Sequence, residues 1–149
     1  MLTAKQIIGR WQLVAAELTV AGQVSNTFDA KRTMIKHFTA CGRFYFHAKT
    51  ADRVPFSPAI TDEERLAACK TLDFGAGRYR LKGDEYIEDI EVCSYPNYEG
   101  KSIGFSLSVQ GEGEQATLIQ QGVYPLKMLG FGDQDGYIKE TYRRLEELE

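Results

Sequence analysis

Glu88 is the side chain in this sequence best placed for acid–base chemistry. It alternates with Tyr86 and Ile90 in a segment of strand character, so a sheet that faces these residues inward would place a carboxylate in an apolar interior. Burial raises the pKa of a carboxyl group and suits it to exchange a proton near neutral pH. The structural alternative is a carboxylate held in a hydrogen-bonded network without catalysis.

Lys36 is the cation that could neutralise Glu88. It alternates with Met34 and Phe38, and would face the same interior if these apolar neighbours do. The resulting buried ion pair often contributes neither stability nor catalysis. Both residues are therefore candidates for ligand binding, and Glu88 is also a candidate catalytic acid or base.

The two histidines, His37 and His47, lie on neighbouring arms of a predicted hairpin. His47 would be a second catalytic candidate, as a general base, if its face of the strand pointed into the interior. The opposite face carries Phe44 and Phe46, which predicts that both histidines face solvent. Metal sites need three or four convergent ligands, and no such spacing occurs, so no metal is expected.

Aromatic residues are plentiful, with eight Tyr and eight Phe among 149 residues. Inward-facing aromatic rings with a few hydroxyl groups form the usual wall of a small-molecule pocket, although the same residues also fill the core of a small barrel. The candidates for this wall are Tyr79, Tyr86, Phe105, Tyr124 and Tyr142. The sequence has no nucleophile elbow, phosphate-binding loop or dinucleotide fingerprint, so no cofactor is expected.

Short segments of strand pattern, separated by glycine-bearing turns, must position these residues. Strands are predicted at 11–20, 33–39, 43–49, 76–81, 85–94, 102–110, 116–124 and 136–145, after a short N-terminal helix at 3–8. The series predicts an all-β, up-and-down antiparallel barrel that forms a single domain over residues 1–149.

One inserted helix near 61–72 interrupts the strands as a side element or lid. Thr61 is its expected N-cap, with Glu64 at the reciprocal position of a capping box. Leu66, Cys69 and Leu72 would form its apolar face.

The first and last strands are expected to meet. Trp11 opens the first strand, and Arg144 lies on the face of the last strand that also carries Tyr142. A guanidinium can stack on an indole ring while it donates hydrogen bonds to nearby carbonyl groups. Trp11 and Arg144 are therefore predicted to close the barrel, a structural and not a catalytic role.

Charge and composition exclude several partners. Eighteen basic and 21 acidic residues give a net charge of −3 without a basic stripe, so nucleic acid is not expected. No apolar run has the length of a membrane span or the pattern of a signal peptide, so we expect a cytoplasmic protein without membrane contact. Cys41, Cys69 and Cys93 fit that compartment as free, mostly buried thiols.

Several segments, in the same order along the chain, carry a family resemblance. They are Gly9-Arg10-Trp11 and residues 38–44, 79–81, 92–100 and 140–144. Together they resemble the bacterial lipocalin-like domain family of the calycin superfamily, which implies a barrel with a binding interior. Some calycins bind haem through a histidine near the C-terminus, and no histidine follows His47 here, so haem is not expected.

Three functions remain open at this point. The first is binding of a small, largely apolar molecule in the barrel lumen. The second is an enzyme, an isomerase, cyclase or hydrolase, that acts on a hydrophobic small molecule in the same cavity. The third is a filled barrel that acts through its surface as an oligomer, such as a homodimer. A second titratable group within hydrogen-bond reach of Glu88 in an open lumen would favour the enzyme, and a packed lumen would exclude the first two functions.

Overall fold

Alternating apolar and polar residues fold this chain into a run of antiparallel strands. In the computed structural model, which describes residues 1–145, the strands are β1 (Gly9–Val20), β2 (Gln23–Asn26), β3 (Arg32–Phe38), β4 (Arg43–Thr50), β5 (Leu72–Lys82), β6 (Glu85–Cys93), β7 (Ser102–Gln110), β8 (Thr117–Tyr124) and β9 (Gly136–Arg144). The helices of this range are α1 (Ala4–Ile7), α2 (Asp62–Cys69) and α3 (Leu126–Leu129), with short 3-10 turns at Pro96–Tyr98 and Gly113–Gln115.

The strands form one closed sheet. Its order is β2-β1-β3-β4-β5-β6-β7-β8-β9, and β1 also pairs with β9, which closes the barrel. β1 pairs with β3 near its start, with β2 near its end and with β9 along most of its length. A bulge between Leu13 and Ala15 interrupts the β1–β9 register. The predicted up-and-down barrel is confirmed, and the short outer strand β2 is an addition that the sequence did not predict.

Helix α1 lies at one end of the barrel, which we call the closed end. Trp11 Nε1 donates a hydrogen bond of 2.7 Å to the carbonyl oxygen of Ile7, and the ring of Trp11 lies 4.2 Å from the guanidinium carbon of Arg144. Arg144 also donates to the carbonyl oxygens of Gln6 and Ile8, at 2.7 and 3.0 Å. These contacts tie α1 to both the first and the last strand of the barrel.

The inward faces of the strands meet in a core that is densest at the closed end. The largest fully buried side chains are Trp11, Tyr86, Tyr142, Phe38, Phe44, Ile7 and Leu118. Phe38 contacts the rings of both Tyr79 and Tyr86 edge to face, with centroid distances of 5.6 and 5.5 Å. Each such side chain contributes about 1.5–3 kcal/mol through burial, so this end anchors the fold.

Helix α2 lies outside the barrel. The predicted capping box is present, since the Thr61 amide donates to Glu64 Oε2 at 2.7 Å and the Glu64 amide donates to Thr61 Oγ1 at 3.2 Å. The predicted C-terminal end is wrong, because Leu72 pairs with β4 and begins β5. The predicted apolar face is also wrong: no residue of α2 is buried, and Leu66 is 57% exposed. No helix within residues 1–145 is long and apolar enough to cross a membrane.

The three cysteines are free, as predicted, but their burial differs from the prediction. Cys93 is buried, whereas Cys41 and Cys69 are exposed. Cys41 lies in the tight turn between β3 and β4, and Cys69 ends the outer helix α2. Neither place offers a core that could bury a thiol.

Candidate functional site

The half of the lumen remote from α1 contains a cavity of about 220 Å³, and we call this half the cavity end. The aromatic part of its wall consists of Phe46, Tyr95, Tyr98, Phe105, Tyr124 and Tyr142. The volume equals about seven water molecules at roughly 30 Å³ each, which is smaller than a pocket for a drug-sized compound. A wider depression outside the β1 bulge is open to solvent and lined by the exposed Glu17 and Lys139.

Besides Asp73 at its edge, four polar side chains carried by strands lie in the wall of the cavity. β3 contributes Lys36, β6 contributes Glu88, and the neighbouring strands β8 and β9 contribute Gln120 and Glu140. Gln120 and Glu140 are direct partners across the β8–β9 pair, so their side chains leave the sheet on the same face. Lys36, Glu88 and Gln120 are only 3–7% exposed, which makes their hydrogen bonding decisive for what the site can do.

Protein groups accept hydrogen bonds from two of the three N–H donors of Lys36. Its ammonium forms an ion pair with Glu88 Oε1 and donates a hydrogen bond of 3.0 Å to Gln120 Oε1. It also lies 5.2 Å from the centroid of the Tyr86 ring. The Tyr86 hydroxyl donates to the same oxygen of Glu88 at 2.8 Å. Burial, together with the Glu88 carboxylate, raises the pKa of Tyr86 well above its usual value, so this phenol stays a proton donor.

Glu140 has a different environment. Its Oε2 accepts a hydrogen bond from the Tyr142 hydroxyl, and within residues 1–145 no Lys, Arg or His forms an ion pair with it. Burial raises the pKa of Glu140, against the opposing effects of the Lys36 charge and the Tyr142 hydrogen bond. Burial and the Glu140 carboxylate in turn raise the pKa of Tyr142 well above its usual value.

Three polar atoms in the cavity wall have no hydrogen-bond partner among the described residues. Lys36 donates to the oxygen of the Gln120 amide, so the Nε2 of the same amide is turned away from Lys36. This Nε2 forms no hydrogen bond with a described residue. Glu88 Oε2 and Glu140 Oε1 also accept no hydrogen bond. In residues 1–145, the only side-chain N or O atom that is both fully enclosed and without a hydrogen-bond partner is Thr50 Oγ1. The three atoms in the cavity wall therefore all keep some accessible surface. The cavity thus presents one amide donor and two carboxylate acceptors.

Four aromatic residues form a connected cluster, and three of them line the cavity. The cluster consists of Tyr95, Tyr98, Tyr124 and Phe131, whose ring centroids lie 6.0–6.3 Å from one another in successive pairs. The hydroxyl groups of Tyr98 and Tyr124 are in direct contact. Burial raises the pKa of Tyr98. The Asn97 side chain donates to the carbonyl oxygen of Leu129 at 2.9 Å, which joins the turn after β6 to α3.

Comparison with known families identifies this arrangement. A model of the lipocalin-like domain matches residues 8–136, most of the chain. The chain belongs to the lipocalin-like domain family. The family that the sequence resembled is therefore confirmed, together with its all-β fold.

Several solved structures resemble this lipocalin-like domain. A lipocalin-like protein from Bacteroides uniformis is 18% identical, with a TM-score of 0.48 over 94% of this chain and 99% of that one. An uncharacterized protein from Bacteroides eggerthii is 15% identical, with a TM-score of 0.48 over 93% and 99% of the two chains. The amine binding protein of Rhodnius prolixus, in its tryptamine complex, is 11% identical, with a TM-score of 0.47 over 100% and 68%. No curated protein matches significantly.

Most of the residues predicted for ligand binding lie together in the lipocalin-like domain. Five of them line the cavity: Lys36, Glu88, Phe105, Tyr124 and Tyr142. Tyr86 lies beside them and reaches the site through its hydrogen bond to Glu88. Tyr79, also considered for the cavity wall, lies at the closed end, where its hydroxyl donates to the Thr39 carbonyl oxygen at 2.8 Å.

His47 lies on the outer face of β4. Its side chain is exposed, because the inward positions of β4 are occupied by Phe44 and Phe46. Its partners on the neighbouring strands are Ile35 of β3 and Phe74 of β5. Partial burial and the nearby positive charges lower its pKa. The prediction that His47 faces outward is confirmed, so its conditional role as a base in the cavity is wrong. Within residues 1–145, no group of three His, Cys, Asp or Glu residues is arranged to hold a metal ion.

Gln120, Glu140 and Tyr98 belong to the site but were not predicted. Sequence alternation carries a signal for the first two, since Gln120 follows Leu118 by two residues and Glu140 lies between Ile138 and Tyr142 on one strand face. Tyr98 has no such signal, because it lies in a 3-10 turn, where strand alternation does not determine which way a side chain faces.

Proposed function

We propose that this lipocalin-like domain binds a small, largely apolar molecule in the cavity end of its barrel. The observation that carries the proposal is the aromatic cavity of about 220 Å³ whose wall presents unbonded polar atoms of Glu88, Gln120 and Glu140. An apolar wall with a few convergent polar groups is typical of small-molecule sites. The apolar body of the ligand would displace water from the rings, and its polar group would bond to the free atoms.

The volume of the cavity limits the size of the ligand. Space for about seven water molecules suits a compound with one ring and a short side chain. A ligand of this size gains affinity chiefly by filling the cavity and matching its few polar atoms, because it buries little area in total. The barrel lumen is not filled by side chains, so binding is better supported than a function that uses only the outer surface.

A second function, proton transfer to a molecule bound in the same cavity, is favoured by the two carboxylates of the site. Lys36 and Tyr86 lie within hydrogen-bond reach of Glu88, whereas Glu140 has no ion-pair partner among the described residues and its pKa is raised. Two carboxyl groups in different environments can act as the acid and the base of one site. If the domain is an enzyme, Glu140 is the group that would exchange the proton.

The binding proposal can be tested by native mass spectrometry of the protein purified from its own host. We expect one small molecule per chain to be retained. Ala48→Phe, which adds a ring inside the cavity, should abolish retention, whereas Val92→Phe places the same ring on the exposed face of β6 and should not.

Two outcomes would decide between the functions. A protein that retains no molecule and gains no thermal stability from any of a set of single-ring compounds would contradict binding in the lumen. If the retained molecule is instead converted to a product on incubation, and Glu140→Gln binds it without converting it, proton transfer is the better description of the function.

A further inference from the structure

The charges in the wall of the cavity do not balance. Asp73, at the edge of the cavity, is paired with Arg32 at 2.7 Å, and Glu88 is paired with Lys36. Lys36 is the only Lys, Arg or His in the wall formed by the described residues. Glu140 therefore has no ion-pair partner among the described residues, although its side chain is half-buried and removing a carboxylate from water without such a partner is costly.

We infer that the ligand of this cavity is a small organic amine, which binds as its ammonium ion against Glu140. The inference rests on the proposed binding function and specifies the class of the ligand. The free Oε1 of Glu140 and the free Oε2 of Glu88 would each accept an N–H of the ammonium. Hydrogen bonds between charged groups are about twice as strong as neutral ones.

The aromatic wall provides the second element of recognition. Phe46, Phe105 and Tyr124 surround the space next to the carboxylates, and the negative faces of such rings attract a cation. Rings behind the wall already contact one cation in this way, since Phe38, Phe44 and Tyr86 lie 5.2–5.7 Å from the ammonium nitrogen of Lys36. A ligand with a ring and an ammonium group would thus match both parts of the wall.

Other ligand classes fit the charges less well. An anionic ligand would add a negative charge beside Glu88 and Glu140, where the charge of Lys36 is already paired with Glu88. A ketone could donate no hydrogen bond to the Glu140 carboxylate, and an alcohol could donate one but would bring no positive charge to balance it.

The inference predicts a dependence of binding on pH. The groups that face Glu140 are Lys36 on β3, Glu88 on β6, Tyr142 on β9 and Tyr98 in the turn after β6. Burial raises the pKa of Glu140 despite Lys36, so an added ammonium should lower it again. The affinity for an amine should therefore fall as the pH decreases through the raised pKa of Glu140.

The test uses three probes of similar size, 2-phenylethylamine, 2-phenylethanol and 3-phenylpropanoate, titrated calorimetrically into the full chain. We expect the amine to bind at least about ten-fold more tightly than the other two, as one charge-assisted hydrogen bond predicts. An alcohol or acid that binds as tightly as the amine would overturn the amine inference and leave the binding function standing. Failure of all three to bind would count against both proposals.

A matched pair of variants locates the effect. Glu140→Gln removes the charge but keeps the shape, and should weaken amine binding by about ten-fold while the affinity for the alcohol stays within about two-fold. Glu17→Gln makes the same change at an exposed position on the outer face of β1 and should alter neither affinity. Unchanged amine affinity in folded Glu140→Gln would overturn the assignment to Glu140. The comparison of the three probes on the unmodified chain does not depend on the folding of any variant.

Discussion

The closed end and the cavity end are built from the same strands, but they use polar groups in opposite ways. At the closed end, the indole N–H of Trp11 and the guanidinium of Arg144 donate to backbone carbonyl oxygens of α1 or the residue after it. At the cavity end, Glu88, Gln120 and Glu140 each keep a polar atom that no described residue bonds. One end uses its polar groups to hold the fold together, and the other leaves some of its polar atoms without a hydrogen bond.

The difference shows where the fold is expected to tolerate change. Complete hydrogen bonding at the closed end means that a lost side chain leaves a partner unpaired, which is costly. The cavity end already carries unpaired atoms, so neutralising one of them should cost little or even stabilise the free protein. Such local departures from the rules of stable folding are typical of functional sites.

Removal of the Trp11 side chain at the closed end should cause the largest loss of stability. Trp11→Ala leaves a large void beneath α1 and is expected to lower the free energy of unfolding by about 3–5 kcal/mol, the usual cost of deleting a buried large aromatic residue. Urea unfolding of both proteins measures the difference. A loss below about 1 kcal/mol, typical of a surface substitution, would show that Trp11 does not anchor this end.

Loss of the Arg144 guanidinium should have the next largest effect. Arg144→Gln removes the stacking on Trp11 and the bonds to the Gln6 and Ile8 carbonyl oxygens, at an expected cost of about 1.5–3 kcal/mol. Arg143→Gln is the matched control, because Arg143 is exposed on the opposite face of β9, and it should stay within about 0.5 kcal/mol. If Arg144→Gln and Arg143→Gln lowered the free energy of unfolding equally, the contacts of Arg144 with Trp11 and α1 would not contribute to stability as proposed.

At the cavity end, Glu140→Gln should change stability in the opposite direction. Burial raises the pKa of Glu140 in the folded protein, so ionisation of Glu140 destabilises the fold as the pH rises from below the unfolded pKa through the folded pKa. Gln cannot ionise, and the variant should therefore gain stability relative to the original chain as the pH rises through this range. Urea unfolding at several pH values measures the trend, and a difference independent of pH would argue against a raised pKa.

The smallest effect is expected at His47, outside both ends. His47→Ala should change the free energy of unfolding by less than about 0.5 kcal/mol, since the side chain is exposed. It should also leave the affinity for any ligand of the cavity unchanged. Calorimetry on this variant is a direct check, because a clear loss of affinity would place His47 in the site after all.

Strand alternation made much of this domain predictable. The inward facing of Lys36 with Met34, and of Glu88 with Tyr86, follows from the apolar residues two positions away on the same strand. The same alternation identifies Arg144, and not Arg143, as the neighbour of Trp11. Such predictions need only the two-residue period of a strand, which is a local property of the sequence.

Other features depend on distant contacts and could not be predicted in this way. Gln120 receives its role from Lys36, which is 84 positions away, and that pairing depends on the register of every strand between them. The start of β5 at Leu72 depends on pairing with β4, which overrode a helical pattern. The exposure of Leu66 on α2 was not predicted, because amphipathic spacing does not show whether another element packs against the apolar face of a helix.

The pairing of β1 with β9 has a consequence for synthesis of the protein. Trp11 is opposite Arg144, so the seam of the barrel joins its first strand to the strand of the barrel that is synthesised last. Contacts between such distant segments slow folding. Until β9 leaves the ribosome, β1 has an unpaired edge, which is a template for wrong pairing and aggregation. The nascent chain is therefore most vulnerable in the interval before its last strand emerges.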